Sequence, residues 1–579
     1  MKKLLLGNES VARGLFEAGV RFVSSYPGTP STEITENASL YKEIYSEWAP
    51  NEKVALEAAL GASVGGGRSF CGMKHVGLNV AADPLFVTAY TGVGAGFVIG
   101  VADDPGMHSS QNEQDSRHYA IGAKLPMVEP ADSAECKEFT KAAYELSEKF
   151  DTPFILRLTT RVSHSRSPVE LDERVEHDIL PYVKDAGKHV MMPANAKKRH
   201  FAVEERLDAL REFAENTELN KVESNSSEIG IITAGNCYNY AKEAFGKNAD
   251  YLKLGLVNPL PRKKILEFAE NHGTVIVIEE LDPVIEDFCR SVGAAEKTKL
   301  IGKDVLPLCG EYSEEILRER LLGIEPDYVE LGSPIPPRPP VLCPGCPHRG
   351  VFYTLSKLGL RVSGDIGCYT LGAVAPLSAI DSVYCMGASI SALHGTAKVR
   401  GEEDKYVAVI GDSTFMHSGL TGLVNVVYNG GKTTTLILDN SITGMTGHQD
   451  NPLTGKTLMG DPAPNLCLED ICASLGIPRE HIRVVDPGDL AETERVIKEE
   501  VSAPAPSVII CRRPCALLKT AKKGPALHVD EKKCVGCKSC MKIGCPCISI
   551  VNKKAVIDKS MCTGCHLCEQ MCRLGAIGE

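Results

Sequence analysis

Nine of the chain's 22 cysteines crowd between Cys534 and Cys572, in the runs CVGCKSCMKIGCPC and CTGCHLCEQMC. The spacing is Cys534-x2-Cys537-x2-Cys540-x4-Cys545-Pro546, then Cys562-x2-Cys565-x2-Cys568-x3-Cys572. Each C-x2-C-x2-C run puts three thiolates around one [4Fe–4S] cubane, and the fourth cysteine of each run ligates the other cubane. On that rule Cys534, Cys537, Cys540 and Cys572 hold one cluster, and Cys562, Cys565, Cys568 and Cys545 hold the second. Zinc prefers two separated C-x2-C pairs, and three cysteines in tight series suit it poorly. The tail departs from the usual pattern in three ways: four residues precede the last cysteine of the first run, Cys547 competes with Cys545, and Arg573 stands where proline is usual.

Such a tail needs a source of single electrons in the rest of the chain. At 579 residues the chain exceeds one core, since domains run to roughly 100–200 residues. Its 43% hydrophobic and 24% charged residues are those of a globular protein, and a net charge of −12 argues against nucleic acid as a partner. The opening MKKLLLGNESVARG is too short in apolar residues for a secretory signal. The longest uncharged run, Pro84 to Ala102, reads as a buried helix end and a strand, so no membrane span is expected. Cysteines at metal-ligand spacing, with the others scattered, point to a reducing cytoplasm.

Alternating strand and helix signals fill residues 1–180 (VRFVSSYPGTP, EKVALEAALGASVGGG, TPFILRLTT), and predict a doubly wound parallel sheet. A charged, largely helical connector follows at 181–227. A βαβαβ pattern over 228–332 predicts a smaller parallel sheet, with EIGIITAG, LKLGLVNPLP and GTVIVIEEL as its strands. The Pro-rich linker 333–341 leads to a third α/β stretch, 342–515, with strands at DSVYCMG, YVAVIGD, TTTLILDN and PSVIICR. The cysteine domain occupies 525–579. The fold class is therefore α/β, with two doubly wound domains flanking a smaller α/β domain and a C-terminal two-cluster domain.

Within the third stretch, one strand ends in Gly411-Asp412-Ser413 and the next in Asp439-Asn440. Adjacent parallel strands would bring both ends to the carboxyl edge, where ligands bind. Asp412, Asn440 and the carbonyl near Ile442 would then share one Mg²⁺ with two diphosphate oxygens, in a hard-oxygen site. This is the spacing of the thiamine diphosphate motif, with Ser413 in place of its last glycine.

The chain resembles the 2-oxoacid:ferredoxin oxidoreductases, most closely the α subunits of the indolepyruvate type, in YPGTPSTE, EKVALEAALGAS, ADDPGMHSSQNEQDSR, CPGCPHRG, DIGCYTLG, GDSTFMHSG and the cysteine tail. The resemblance implies that 1–180 binds the aminopyrimidine, 228–332 is like a transketolase C-terminal domain, and 342–515 binds the diphosphate. It implies that Glu52 activates the cofactor, with Glu57 on the same helix as the second choice, and that Thr29 of YPGTP faces substrate. It places Cys346, His348, Gly367, Cys368, Gly387 and Ala388 around the cofactor. Zinc at Cys343, Cys346 and His348 is disfavoured because no second cysteine pair is close in sequence. Among Arg117, His118, Arg161 and His164, one is expected at the substrate carboxylate. The implied reaction decarboxylates an aryl pyruvate (indolepyruvate or phenylpyruvate) through a thiamine enamine, sends single electrons through the clusters to external ferredoxin, and leaves the acyl group on coenzyme A. A smaller β subunit in an (αβ)₂ assembly completes it. The competing expectations are a non-oxidative thiamine enzyme with a structural tail, and an electron-transfer subunit.

Overall fold

The computed structural model describes all 579 residues, which divide into two compact units, Met1–Gly332 and Ser333–Glu579. The first unit contains a seven-stranded sheet in the order Leu256–Asn258, Met127–Val128, Phe154–Thr159, Phe97–Asp103, Ser69–Lys74, Phe22–Ser25, Tyr45–Trp48. All neighbours are parallel except the first pair. Ser69–Lys74, Phe97–Asp103 and Phe154–Thr159 are buried along their whole length, as strands covered on both faces must be. Parallel pairing gathers the carboxyl ends of these strands on one edge, from which the YPGTP and ADDPGMHSSQN loops leave. Pro84–Ala102 falls in the helix Ala82–Thr91 and the strand Phe97–Asp103, and no helix is long and apolar enough to cross a membrane.

LKLGLVNPLP, read above as one strand, is two: Asp250–Leu254 and Leu256–Asn258, in different sheets. The break is Gly255, where a Cβ would lie 2.5 Å from the Leu219 carbonyl oxygen and 2.8 Å from the Phe139 ring. Only glycine lets the backbone pass so close as it steps between sheets. Asp250–Leu254 belongs to a five-stranded sheet, ordered Lys299–Ile301, Thr274–Ile278, Ile229–Ala234, Asp250–Leu254, Asn220–Glu223, and parallel but for the last strand. Leu256–Asn258 instead pairs antiparallel with Met127–Val128 of the larger sheet. The segment expected as a small domain thus shares a strand with the first, and the connector contributes both the helix Pro193–Asn216 and the edge strand Asn220–Glu223.

The second unit holds an all-parallel sheet ordered Arg361–Ser363, Tyr406–Gly411, Thr434–Asp439, Ser507–Arg512, Ile482–Val485. DSVYCMG is not a strand, contrary to expectation: only Ser382 bridges to Ser363. Asp381 turns its carboxylate back to accept the Val362 amide at 2.6 Å, and Tyr384 is 61% exposed, so the apolar alternation is not buried. In the tail, two short antiparallel pairs, His528–Val529 with Ile577–Gly578 and Ile548–Val551 with Lys554–Ile557, enclose a core in which the cysteines pack among isoleucines.

Arg117, one of the four cations expected at the substrate carboxylate, is a buried structural residue. Its guanidinium donates to the Asp115 and Glu279 carboxylates and to the Glu280 and Asp282 carbonyls. It thereby fastens the loop after Phe97–Asp103 to the end of Thr274–Ile278, joining the two sheets of the first unit. Removing one partner of a buried pair strands the other. Arg117→Ala should therefore cost about 3–5 kcal/mol of stability, read as a lowered apparent Tm. Arg161→Ala, whose partner Glu311 is met at the surface, should cost no more than about 1 kcal/mol.

Candidate active site

The two strand ends picked out by spacing lie side by side: Tyr406–Gly411 and Thr434–Asp439 pair in parallel, with Gly411 opposite Leu438. Asp412 and Asn440, the next residues along, are both buried. One Asp412 oxygen accepts the Ser413 amide at 2.8 Å, while Oδ2 is buried without a hydrogen-bond partner. Burial, and after it the neighbouring Asp439, push the Asp412 carboxyl up to about 8. The Asn440 side-chain oxygen accepts from the Ile442 amide at 3.2 Å, and the hydroxyls of Ser413 and Thr443 meet at 2.9 Å. A buried carboxylate oxygen with no donor, beside a second acid and an amide oxygen, is what a divalent cation satisfies.

Two residues that sequence reasoning missed assemble this pocket. Asp365 accepts the amides of Ile366, Gly387 and Ser389 at 2.8–3.0 Å, so it ties the GCY loop to the start of the helix Ala388–Arg400. Tyr369 lies between Gly367 and Gly411, where Cβ atoms would stand 2.4 and 2.5 Å from its ring, and its hydroxyl meets Thr414 at 3.0 Å. Gly387 has φ +84°, and a Cβ there would lie 2.5 Å from the Ser418 side chain. These glycines let the backbone pass close to the Tyr369 ring and to the Ser418 side chain. His348 packs edge-to-face on Tyr369 at 5.9 Å, and burial holds it down to about 4, so its imidazole is neutral. The signal for the two missed residues was the run DIGCY itself, whose aspartate precedes a glycine turn.

All 22 cysteines are free thiols. In the tail, Cys540 has Cys534, Cys537 and Cys572 as electrostatic neighbours, and Cys568 has Cys565, Cys545, Cys562 and also Cys540. The members of each quartet named from spacing thus lie in one neighbourhood, with Cys540 and Cys568 as the point where the two meet. Cys547 adjoins Cys545 and Cys562, but it is Cys545 that adjoins Cys565 and Cys568. Amides of Ala555 and Ala576 point to the Cys534 and Cys572 sulfurs at 3.5 and 3.2 Å, the kind of bond that tunes a cluster's potential.

Four further thiols share one electrostatic neighbourhood. Cys343 and Cys368 act electrostatically on Cys346, Cys515 and Cys343 on Cys368, and Cys343 and Asp412 on Cys515. The second cysteine pair, absent nearby in sequence, is supplied by the loops DIGCY and CRRPC. Zinc needs its ligands within about 2.3 Å, and nowhere do three or more His, Cys, Asp or Glu side chains close around a single ion. Burial pushes Cys346 up to about 12 and Cys368 to about 11, so bound metal would be what makes them thiolates near neutral pH.

In the first unit, Glu52 opens the helix Glu52–Val64 behind an Asn51 cap and is 4% exposed. Gly77 comes so close that a Cβ there would stand 2.6 Å from the Glu52 carboxylate. Glu57 is 45% exposed and paired with Lys53, which leaves it on the solvent face. Thr29 is half-buried, and its carbonyl accepts from the Ser109 hydroxyl at 3.4 Å. Lys74, also missed, ends the strand Ser69–Lys74 with its stem against Gly28 and its ammonium on the Ser109 carbonyl at 3.0 Å. Burial lowers its pKa, and Asp104 and Glu52 oppose that. Its signal was a lysine closing an otherwise uncharged strand. Arg161 and His164 line a cleft of ≈210 Å³ with His108, Thr160, Ser165 and Glu311. Arg161 is held bidentately by Glu311 at 2.7 Å, His164 faces Glu33 at 3.5 Å, and His118 faces Asp282 at 2.8 Å.

Three family profiles match the chain: "Pyruvate flavodoxin/ferredoxin oxidoreductase, thiamine diP-bdg" over 13–229, "Thiamine pyrophosphate enzyme, C-terminal TPP binding domain" over 365–511, and "4Fe-4S binding domain" over 555–578. The chain is 41% identical to the indolepyruvate oxidoreductase subunit IorA of Archaeoglobus fulgidus, over 100% of this chain and 97% of that one. It is 40% identical, with the same coverage, to the subunit IorA of Methanothermobacter thermautotrophicus. Among solved structures, a 2-oxoglutarate:ferredoxin oxidoreductase from Magnetococcus marinus superposes with a TM-score of 0.47 at 19% identity, covering 56% of this chain and 65% of that one. That likeness is too distant to say what this chain binds.

A cation entering the Asp412 site must displace the proton that burial holds there. Affinity for Mg²⁺ with thiamine diphosphate should therefore rise about tenfold per pH unit as pH climbs towards about 8, and level off above it. Calorimetric titration of the cofactor-free protein reads this slope, and Asp412→Asn should weaken binding and flatten it.

Proposed function

Because the chain belongs to the family of indolepyruvate oxidoreductase IorA subunits, we propose that it oxidatively decarboxylates aryl pyruvates such as indolepyruvate and phenylpyruvate. Membership makes it an oxidoreductase of 2-oxo acids that uses thiamine diphosphate and iron–sulfur centres. The proposal adds the aryl side chain, coenzyme A as acyl acceptor, external ferredoxin as electron acceptor, Mg²⁺, and two [4Fe–4S] clusters in the tail. To these it adds a further cluster on Cys343, Cys346, Cys368 and Cys515. The relatives are named as subunits, which supports a smaller β partner, in an (αβ)₂ assembly within a reducing cytoplasm.

The observation that supports the reading is the backbone of Cys515, whose amide donates to the Asn440 carbonyl at 2.9 Å. It joins the candidate diphosphate site to a thiol quartet, and a non-oxidative enzyme has no use for that junction. Bound thiamine diphosphate supplies the carbanion chemistry that makes loss of carbon dioxide feasible. The chain's own residues do the rest. Asp412, Asn440 and the Ile442 carbonyl would hold Mg²⁺ against the diphosphate, in the cradle of Gly367, Cys368, Gly387, Ala388, Gly411 and Ser413. Glu52 would hold a proton between its buried carboxylate and a pyrimidine nitrogen. His348 stays neutral and adds no charge to the cradle, while Cys346 serves the thiol quartet. Thr29 and the adjacent Lys74 would orient the substrate's carboxylate.

Anaerobic co-expression with the β partner, followed by coenzyme A-dependent viologen reduction, tests this reading. Indolepyruvate should outpace pyruvate and 2-oxoglutarate, and faster turnover of pyruvate would overturn the aryl assignment. Glu52→Gln should lower kcat by about 10²–10⁴, while Glu57→Gln should leave it unchanged.

A further inference from the structure

Arg349, in the middle of CPGCPHRG, is 2% exposed. Its donors all end on backbone carbonyls. Nε reaches Cys343 at 3.1 Å, Nη2 reaches Leu342, and Nη1 reaches both Ile543, at 3.2 Å, and Gly544. The buried arginines of the first unit are matched by carboxylates, Arg117 by Asp115 and Glu279, Arg157 by Asp103 and Glu129. Carbonyl dipoles alone are a poor match for a buried charge. What Arg349 grips is telling. Cys343 belongs to the interior quartet, and Gly544 immediately precedes Cys545 of the tail.

The glycines show how closely these loops are pressed together. Gly544 has φ +68°, and a Cβ there would stand 3.1 Å from Pro376 and 3.2 Å from the Arg349 guanidinium. Gly345, between Cys343 and Cys346, has φ +69°, and a Cβ there would lie 2.2 Å from the hydroxyl of Thr563, which follows Cys562. The CPGC loop therefore abuts both strings of the quartet Cys562, Cys565, Cys568 and Cys545, with the guanidinium at the junction. Iron–sulfur cubanes in four thiolates carry net negative charge, and that charge is the missing counterpart of Arg349.

We infer that Arg349 is a positioning residue for electron exit: it is the counter-cation shared by the interior quartet and the Cys545 quartet, and the tether that fixes the gap between them. This rests on the proposal that both quartets hold clusters. Reduction makes a cluster more negative, so a nearby cation favours the reduced form and raises its potential.

The test uses the anaerobically purified complex with its β partner. Redox titration is followed by electron paramagnetic resonance, with iron counted per chain and hydrogen exchange read over 543–545. Arg349→Gln removes the charge and should shift the oxidised-to-reduced ratio of the flanking centres at least tenfold towards oxidised, about 59 mV for a one-electron couple. Arg349→Lys keeps the charge but cannot span four carbonyls, so potentials should stay near wild type while exchange at Ile543–Cys545 quickens and viologen reduction slows. If Arg349→Gln does not assemble, Arg349→Lys carries the test alone: wild-type exchange and turnover would overturn the inference. Full iron with unchanged potentials in Arg349→Gln would overturn it too. A wild-type iron count too low for a third cluster, and indifferent to Cys515→Ser, would instead remove the reading on which it rests.

Discussion

A carboxylate buried at the end of a parallel strand, with one oxygen lacking any donor, governs the second unit. Burial raises the Asp412 carboxyl to about 8, its Oδ2 has no donor, and the nearby Arg512 guanidinium is held by Asp439 and Glu469 instead. Strand pairing then fixes what else is near: Asn440 follows the neighbouring strand, Ser441 takes φ +61°, and Cys515 donates its amide to the Asn440 carbonyl at 2.9 Å. That last bond couples the two chemistries, because the residue that closes the loop around Asn440 also brings the fourth thiol to the interior quartet. On the proposed reading, the metal site and the interior quartet would share one turn of backbone.

How much of this was legible depends on whether the determinant is local. The tail quartets were readable because their cysteines are close in sequence and the spacing itself encodes cluster geometry. The Gly411-Asp412 and Asp439-Asn440 pair was readable because parallel strands align their ends. The approach of Cys515 to Asn440 was not, since a thiol far along the chain is indistinguishable from a core cysteine until the sheet is assembled. Arg117 misled for the opposite reason: a loop arginine among polar residues looks exposed, and only the second sheet of its unit supplies the Glu279 that buries it. The same sheet exchange hid the break in LKLGLVNPLP, where the glycine responds to the Phe139 ring rather than to any local turn.

Glutamate choice on the helix Glu52–Val64 shows how a family pattern and physical burial divide the work. Glu52 and Glu57 lie on one helix, and either could be an ordinary surface acid by composition. The helix begins at Glu52, where its first turn faces the sheet edge and Gly77 leaves room for the carboxylate, while Glu57 falls on the face that pairs with Lys53 in solvent.

Charge economy separates the two units in a further respect. Unit one pairs its deep arginines with acids, which stabilises a scaffold at every redox state. Unit two leaves Arg349 facing carbonyls and Asp412 facing none, so each lacks the ionic partner that its counterparts elsewhere have. A cation on one side and negatively charged clusters on the other would settle both imbalances together. On this view the apoprotein of the second unit should be the less stable part of the chain, because its electrostatics are completed by what it binds.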